Sequence, residues 1–229
     1  MEKKFYLRKL LSEKYIRKGN GIEIGPGHIP LQVLPEVKVL YVDLFSEKDL
    51  IKKYSELQDK LMTKIDIIDD GEKLIKFKNR SLDFIIANHF LEHTLNPILT
   101  LSNFLRCLKE GGIMFLAIPD RRATFDRDRP LTPSKHFIEV FKNGYDNRFD
   151  EHYIEFIRLA EKISDEQIEE RKSKLIEIEY SIHFHTFQTE NFVEIIKNMK
   201  DCGFPIELVH LENLQEGTDE FIAILRKNK

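Results

Sequence analysis

Cysteine is nearly missing from this chain: two residues, Cys107 and Cys202, in 229. They are too few for a disulfide framework and lack paired zinc-type spacing, so the expectation is a reducing, cytoplasmic compartment. No window reaches ~18 uninterrupted apolar residues, so no membrane span is expected. A charge excess of one sign is also absent. Lys and Arg number 36 against 39 Asp and Glu, and the formal charge of −3 offers no field to recruit nucleic acid or an acidic membrane. The opening MEKKFYLRKLLSEKYIRKG has no apolar core of a signal peptide. There is no internal repeat or low-complexity tract. What is present, 41% hydrophobic and 33% charged residues, suits a globular domain with a real core. The length favours one domain, residues 1–229, with a substrate-side insertion at 121–182.

Apolar periodicity over residues 2–17 predicts an amphipathic helix, stopped at Gly19–Gly21. Four short strands follow: GIEI running into a glycine turn, VKVLYVD, TKIDIID, and SLDFIIAN. Nearly continuous apolar runs such as Phe84–Ala87 suit parallel strands covered on both faces. Asn96-Pro97 is a strong helix start, and Lys109 with Gly111 predicts its end before a fifth strand, GIMFLAIPD. Strands alternating with helices predict an α/β parallel sheet. Residues 137–180 read as polar helices forming a cap, the bland alternative being a solvated excursion. A last helix spans 189–201, and PIELVHL with EFIAILRK reads as a closing antiparallel pair.

Glu23-Ile24-Gly25-Pro26-Gly27 follows a strand, with a helix expected after it. Glycines there allow close backbone approach to a ligand. Asp43 ends the next strand, at a distance suited to ribose hydroxyls, and Asp66 is read as ending the third, where it would meet an adenine. The bland reading is a tight turn with surface carboxylates. A dinucleotide loop wants a third glycine where Pro30 stands, and Glu23 would repel a pyrophosphate while suiting an ammonium and a sulfonium.

EIGPG, YVD, IDIIDD, SLDFIIANHFLEH and LKEGGIMFLAIPD resemble the successive motifs of class I S-adenosylmethionine-dependent methyltransferases, over residues 20–120. The resemblance implies a three-layer Rossmann-like fold with a seven-stranded, mostly parallel sheet and one antiparallel strand. It implies that Glu23, Gly25 and Gly27 surround the methionine, that Asp43 and Leu44 meet the ribose, that Asp66 and Ile67 meet adenine, and that Asn88 lines the donor pocket. Ile29 departs from the small residue usual in this loop.

His89, Glu92 and His93 stand at helical spacing, and two imidazoles with a carboxylate suit a divalent first-row metal. The order H-x-x-E-H also occurs in zinc peptidases, but here it follows a strand of a nucleotide-type sheet. The run is similar to the Glu-x-x-Glu-His of small-RNA 2′-O-methyltransferases, which implies a metal (Mn, Mg, Fe or Zn) on His89, Glu92, His93 and the later His183, with His185 as a nearby substitute. The alternative is that these histidines line the pocket or bond to backbone. Net acidity without a basic stripe argues against RNA as acceptor.

Arg121, Arg122 and Arg129 follow the fifth strand, where they would border the acceptor, and a guanidinium fork matches an anion. The equal alternative is an internal Arg–Asp network. PDRRATFDRDRP resembles a methyltransferase subgroup found with bacterial surface-polysaccharide enzymes, implying a sugar, sugar nucleotide or related phosphorylated precursor. The expected chemistry is methyl transfer to an oxygen of a small anionic acceptor. Without a metal a histidine must act as base, the candidates for catalysis being His89, His93, His136 and also His185. The rivals are an NAD-type oxidoreductase and a non-catalytic nucleotide-binding module. Homo-oligomerisation through the inserted helices is left open.

Overall fold

The continuous apolar runs form strands buried on both faces. Ile22 and Ile24 in β1 (Gly19–Ile24), Phe84–Ala87 in β4 (Leu82–Asn88) and Met114–Ile118 in β5 (Leu108–Pro119) are all shut from solvent. They belong to a computed structural model that describes residues 2–54, 57–144 and 148–229. With β2 (Val37–Asp43), β3 (Ile67–Ile68), β6 (Ile206–Glu212) and β7 (Glu220–Lys227) they make a seven-stranded sheet in the order β3-β2-β1-β4-β5-β7-β6. Pairing is parallel from β3 through β5, while β7 runs antiparallel to both β5 and β6. This is the Rossmann-like architecture that the motifs implied.

One face is covered by α3 (Pro97–Cys107), α4 (Ser134–Asn143) and α7 (Thr189–Asp201), which bury Leu101, Phe104, Phe137, Phe192 and Ile195 in a common core. The side chain of Asn96 caps α3 by accepting the N–H of Leu99 at 3.1 Å. The helix ends at Cys107, and Leu108 already pairs with Leu82, so Lys109 and Gly111 lie in β5 rather than closing the helix.

The other face corrects an expectation. No helix forms between β1 and β2; residues 25–36 are a loop carrying Pro26, Pro30 and Pro35. Each proline removes an amide donor and restricts the residue before it, so helical hydrogen bonding cannot propagate there. The sheet is covered instead by α1 (Lys3–Tyr15) and by the loop itself, with Leu11, Ile16 and Leu31 packed on Phe115 and Ile224.

After β5 the chain leaves the sheet. Besides α4, the excursion holds α5 (Phe149–Phe156) and α6 (Ile168–Glu177), while α2 (Glu47–Lys53) lies between β2 and β3 in the chain. Phe137 of α4 is part of the main core, whereas Tyr153, Ile157, Leu175, Ile182 and Phe184 make a separate small core around α5 and α6. No helix among the described residues is long and apolar enough to cross a membrane.

Candidate active site

The carboxyl ends of β1, β2 and β4 open into two cavities that share Gly25. Gly25 and Gly27 both take left-handed backbone, at φ 61° and 56°, so they turn the chain tightly without a Cβ over the opening. The smaller cavity, about 200 Å³, is lined by Glu23, Gly25, Gly27, Asn88 and His89 with Lys4 and Arg8 of α1. The larger, about 740 Å³, takes in Asp43, Leu44, Asp70 and His93, and is walled by Phe149, Tyr153 and Tyr180 from the excursion.

Glu23 is 2% exposed. Both its oxygens accept the amide of Leu31 at 3.0 Å, and Asn88 donates to it at 3.4 Å. Burial pushes its carboxyl up to about 7, with the Leu31 amide and the Arg8 charge holding it back. The Asp43 carboxyl is also raised by burial, against the amides of Phe45 and Leu44. Asp66 stands apart: it precedes β3, accepts the Tyr41 amide at 2.9 Å, and with Ile67 lines neither cavity. The strand end is Ile68, so it is Asp70 that reaches the large cavity, beside Glu72 whose carboxyl is driven to about 7 by burial and the Asp70 charge. The signal was in the doubled aspartate of IDIIDD; placing the strand two residues later would have found it.

The expected four-ligand set divides. His89, in left-handed backbone at φ 49°, turns its Nε2 to Glu220 at 2.7 Å. Arg8 Nε also donates to Glu220, at 2.7 Å. Despite burial, those two partners hold the Glu220 carboxyl at about 2.

Glu92, His93 and His183 do converge, with their ligand atoms within 4.8 Å of one another. Glu92 sits in a 3₁₀ turn, Leu91–His93, and is fully buried with no hydrogen bond to either carboxylate oxygen. Its Oε1 faces His93 Nε2 at 3.8 Å and His183 Nε2 at 3.9 Å. His93 Nδ1 donates to the carbonyl of Ile182 at 2.9 Å, and His183 Nδ1 to Asp126 at 2.6 Å. These bonds place a proton on each Nδ1 and turn both Nε2 atoms toward Glu92. Burial and the neighbouring His183 push the His93 imidazole down to about 3, so it is neutral.

The arginines of the following loop do not face an acceptor. Arg129 is fully buried, bonded to Asp126 at 2.8 Å, Glu155 at 3.0 Å and the His183 carbonyl at 2.8 Å. Arg121 donates to the carbonyls of Arg129 and Arg127, and Arg122 forks onto Asp120. The loop forms the internal network, Arg129 wholly so, and none of the three arginines lines either cavity, which corrects the anion-fork expectation. His136 and His185 lie off both cavities, in a cluster with His152, which sequence reasoning missed because the three are distant along the chain.

A glycine loop with no helix behind it has no helix N-terminus for a pyrophosphate, which removes the main support for a dinucleotide cofactor. Comparison with known proteins agrees. A family profile described as "Methyltransferase domain" matches residues 3–198. An uncharacterised protein of Methanocaldococcus jannaschii is 29% identical over 149 residues, 59% of this chain and 68% of the relative. Among solved structures, a Thermotoga maritima S-adenosylmethionine-dependent methyltransferase, described as a possible histamine N-methyltransferase, aligns with a TM-score of 0.50 at 19% identity, covering 98% of this chain and 89% of that one. The plantazolicin methyltransferase BpumL, solved with S-adenosylhomocysteine, aligns with a TM-score of 0.54 at 11% identity, covering 99% and 84%. This chain belongs to the methyltransferase-domain family and is a class I S-adenosylmethionine-dependent methyltransferase.

Proposed function

We propose that this enzyme methylates an oxygen of a small, uncharged, hydroxyl-rich acceptor such as a sugar, with a divalent metal held by Glu92, His93 and His183. The observation that carries the reading is Glu92: a fully buried carboxyl group without a hydrogen bond, faced by the Nε2 atoms of two imidazoles. Burial raises this carboxyl, and its ionised form costs several kcal/mol unless a cation compensates it. Two nitrogens and one oxygen suit Mn, Fe or Zn better than Mg. Bound there, such an ion supplies Lewis acidity that lowers the pKa of an acceptor hydroxyl. His93 belongs to this set and also lines the large cavity, so the cluster adjoins the space where an acceptor would sit.

The remaining residues bind and orient. Asp43 suits the ribose hydroxyls and Asp70 the adenine amino group, while Gly25 and Gly27 let the methionine part pass close to the backbone. Phe149, Tyr153 and Tyr180 offer flat apolar faces to the acceptor. The cavity carries Asp43, Asp70, Glu72 and Glu179 against Lys53, which disfavours an anion and is the reason for replacing the anionic acceptor by a neutral one. The test is methyl transfer to a panel of neutral sugars and their phosphates, before and after chelation and with Mn²⁺ restored. The expected result is turnover on neutral hydroxyl acceptors that chelation removes and Mn²⁺ restores. Full turnover by the metal-stripped enzyme would sink the metal reading, and phosphates outperforming neutral sugars would sink the acceptor.

A second reading has one observation in its favour. His89 lines the small cavity, is tied to Glu220 at 2.7 Å and sits in left-handed backbone, a strained conformation common at functional positions. In that reading His89 takes the hydroxyl proton and Glu220 orients it. Turnover insensitive to chelation but lost in His89→Gln would favour it.

A further inference from the structure

We propose a second transition-metal site, separate from the catalytic cluster, formed by His136, His152 and His185, taking a zinc-class ion and pinning the helical excursion to the sheet. The three side chains come from three segments: α4, α5 and the strap that leads into α7. Each is at least nine-tenths buried, at 7%, 3% and 0% exposure. Each offers one ring nitrogen, and the three nitrogens lie within 4.8 Å of one another.

The ring spacing is what singles the cluster out. Ring centres are separated by 5.4 Å for His136–His152, 5.4 Å for His136–His185 and 5.0 Å for His152–His185. An ion held ~2.0–2.1 Å from three imidazole nitrogens at tetrahedral angles keeps the ring centres roughly 5 Å apart. The ring centres are therefore already at coordination spacing. The tautomer of His185 also fits. Its Nε2 donates to the carbonyl of Leu95 at 3.2 Å, which leaves Nδ1 carrying the lone pair a metal requires.

The donor set decides the ion. Among the described residues the cluster is three imidazoles without a carboxylate, a donor set that disfavours hard, oxygen-seeking Mg²⁺ and Ca²⁺ and favours Zn²⁺, Co²⁺, Ni²⁺ or Cu²⁺. The Glu92 cluster, with its carboxylate, accepts a wider range. The consequence of occupation is mechanical. His185 lies two residues after His183, and the strap between them is fastened by Phe184 and His185 amides donating to the Glu92 carbonyl at 2.8 and 3.2 Å. An ion on His136, His152 and His185 would clamp α4 and α5 to that strap and so hold His183 in place without entering the chemistry.

Glu92→Gln disables the first cluster and leaves this one intact, so the test uses that variant in the full chain, stripped of metal. Titrated with Co²⁺, it should take up one equivalent with the visible absorption bands of tetrahedral cobalt, and one equivalent of Zn²⁺ should abolish them. Adding His152→Leu should remove the uptake. Imidazole ¹⁵N NMR of the Glu92→Gln protein, which needs no histidine change, should show three resonances moving on Zn²⁺ addition. No Co²⁺ uptake by Glu92→Gln, equal uptake by the double variant, or Zn²⁺ binding that leaves those three resonances unmoved would each overturn the site. Failure of the catalytic metal reading would appear separately, as chelation-resistant turnover by the unmodified enzyme.

Discussion

Two buried carboxylates in this molecule have met opposite fates. Glu23, at the floor of the site, is answered by the Leu31 amide, by Asn88 and by the Arg8 charge, all protein groups. Glu92, at the roof, has no hydrogen bond to its oxygens and faces two imidazole Nε2 atoms. A buried acid can become acceptable by local amides, by protonation or by a cation. The floor uses the first two, since Glu23 is raised to about 7 and is easily neutralised. Burial raises the Glu92 carboxyl at the roof as well, but no amide reaches it, and the Nδ1 bonds of His93 and His183 turn both Nε2 atoms toward it, an arrangement that suits a metal.

The contrast breaks most severely at Arg129. This residue ties the roof together, holding Asp126, Glu155 and the strap carbonyls of His183 and Phe184. Arg129→Ala leaves Asp126 buried without its cation, so it should cost about 3–5 kcal/mol. In a denaturant melt this reads as a lower midpoint, and a loss below about 1 kcal/mol would show that the roof does not depend on it.

Glu92→Gln probes the roof alone, and its sign should depend on metal. Without metal, removing a buried unpaired charge should leave the melting temperature unchanged or higher. With Mn²⁺ present the variant should melt below the unmodified enzyme and bind Mn²⁺ at least about 100-fold more weakly, since it loses a direct ligand and not only an outer partner. Equal Mn²⁺ affinity in the two proteins would remove Glu92 from the ligand set. Asp126→Asn should have a smaller effect. Despite burial, His183 and Arg129 hold the Asp126 carboxyl below the usual range, and it fixes the tautomer of His183. Weakening that contact should lower metal affinity by about 10–100-fold. Calorimetry measures it, and no change would mean that His183 is not a ligand.

The same contrast explains what could be read from the residues beforehand. β1, β4 and β5 were legible because strands buried on both faces leave unbroken apolar runs. Gly25, Gly27, Asp43 and Asn88 were legible because a strand end and a turn place them locally. The glycine motif predicts a helix after it, whereas Pro26, Pro30 and Pro35 prevent one, so motif and local backbone chemistry conflict there and the prolines decide. Asp70 was missed by a shift of strand end, a boundary that short edge strands define poorly. Arg121, Arg122 and Arg129 could not be told from an anion fork, because their partners include backbone carbonyls that no residue pattern records. The His136–His152–His185 cluster is tertiary throughout and left no local signal.

The smallest effect belongs to the floor and appears as a pH dependence. Glu23 and Glu72 both have carboxyls raised from 4.5 to about 7 in the folded protein, each chiefly by burial. A raised folded-state acid binds its proton more tightly folded than unfolded, so between about 4.5 and 7 the folded state gains stability as the pH falls. The contribution is largest below the unfolded value and is lost as pH rises through the folded one. Taking the buffer from about pH 8 to about pH 6 should therefore add about 1 kcal/mol of stability from each of the two groups, set against a smaller loss from His93, whose imidazole is held down at about 3. For a chain of this size that is about 2–4 °C in melting temperature for each kcal/mol. Glu23→Gln should remove one of these two contributions and adding Glu72→Gln the other, leaving the opposite slope of His93, whose imidazole stays neutral in the fold while the unfolded chain takes up a proton near 6.5. The Glu220 carboxyl, held at about 2, does not interfere, because its contribution is lost only well below this window. An unchanged slope in Glu23→Gln would mean that the floor carboxylate is satisfied as fully ionised as a surface one, and the difference between floor and roof would then lie in hydrogen bonding alone.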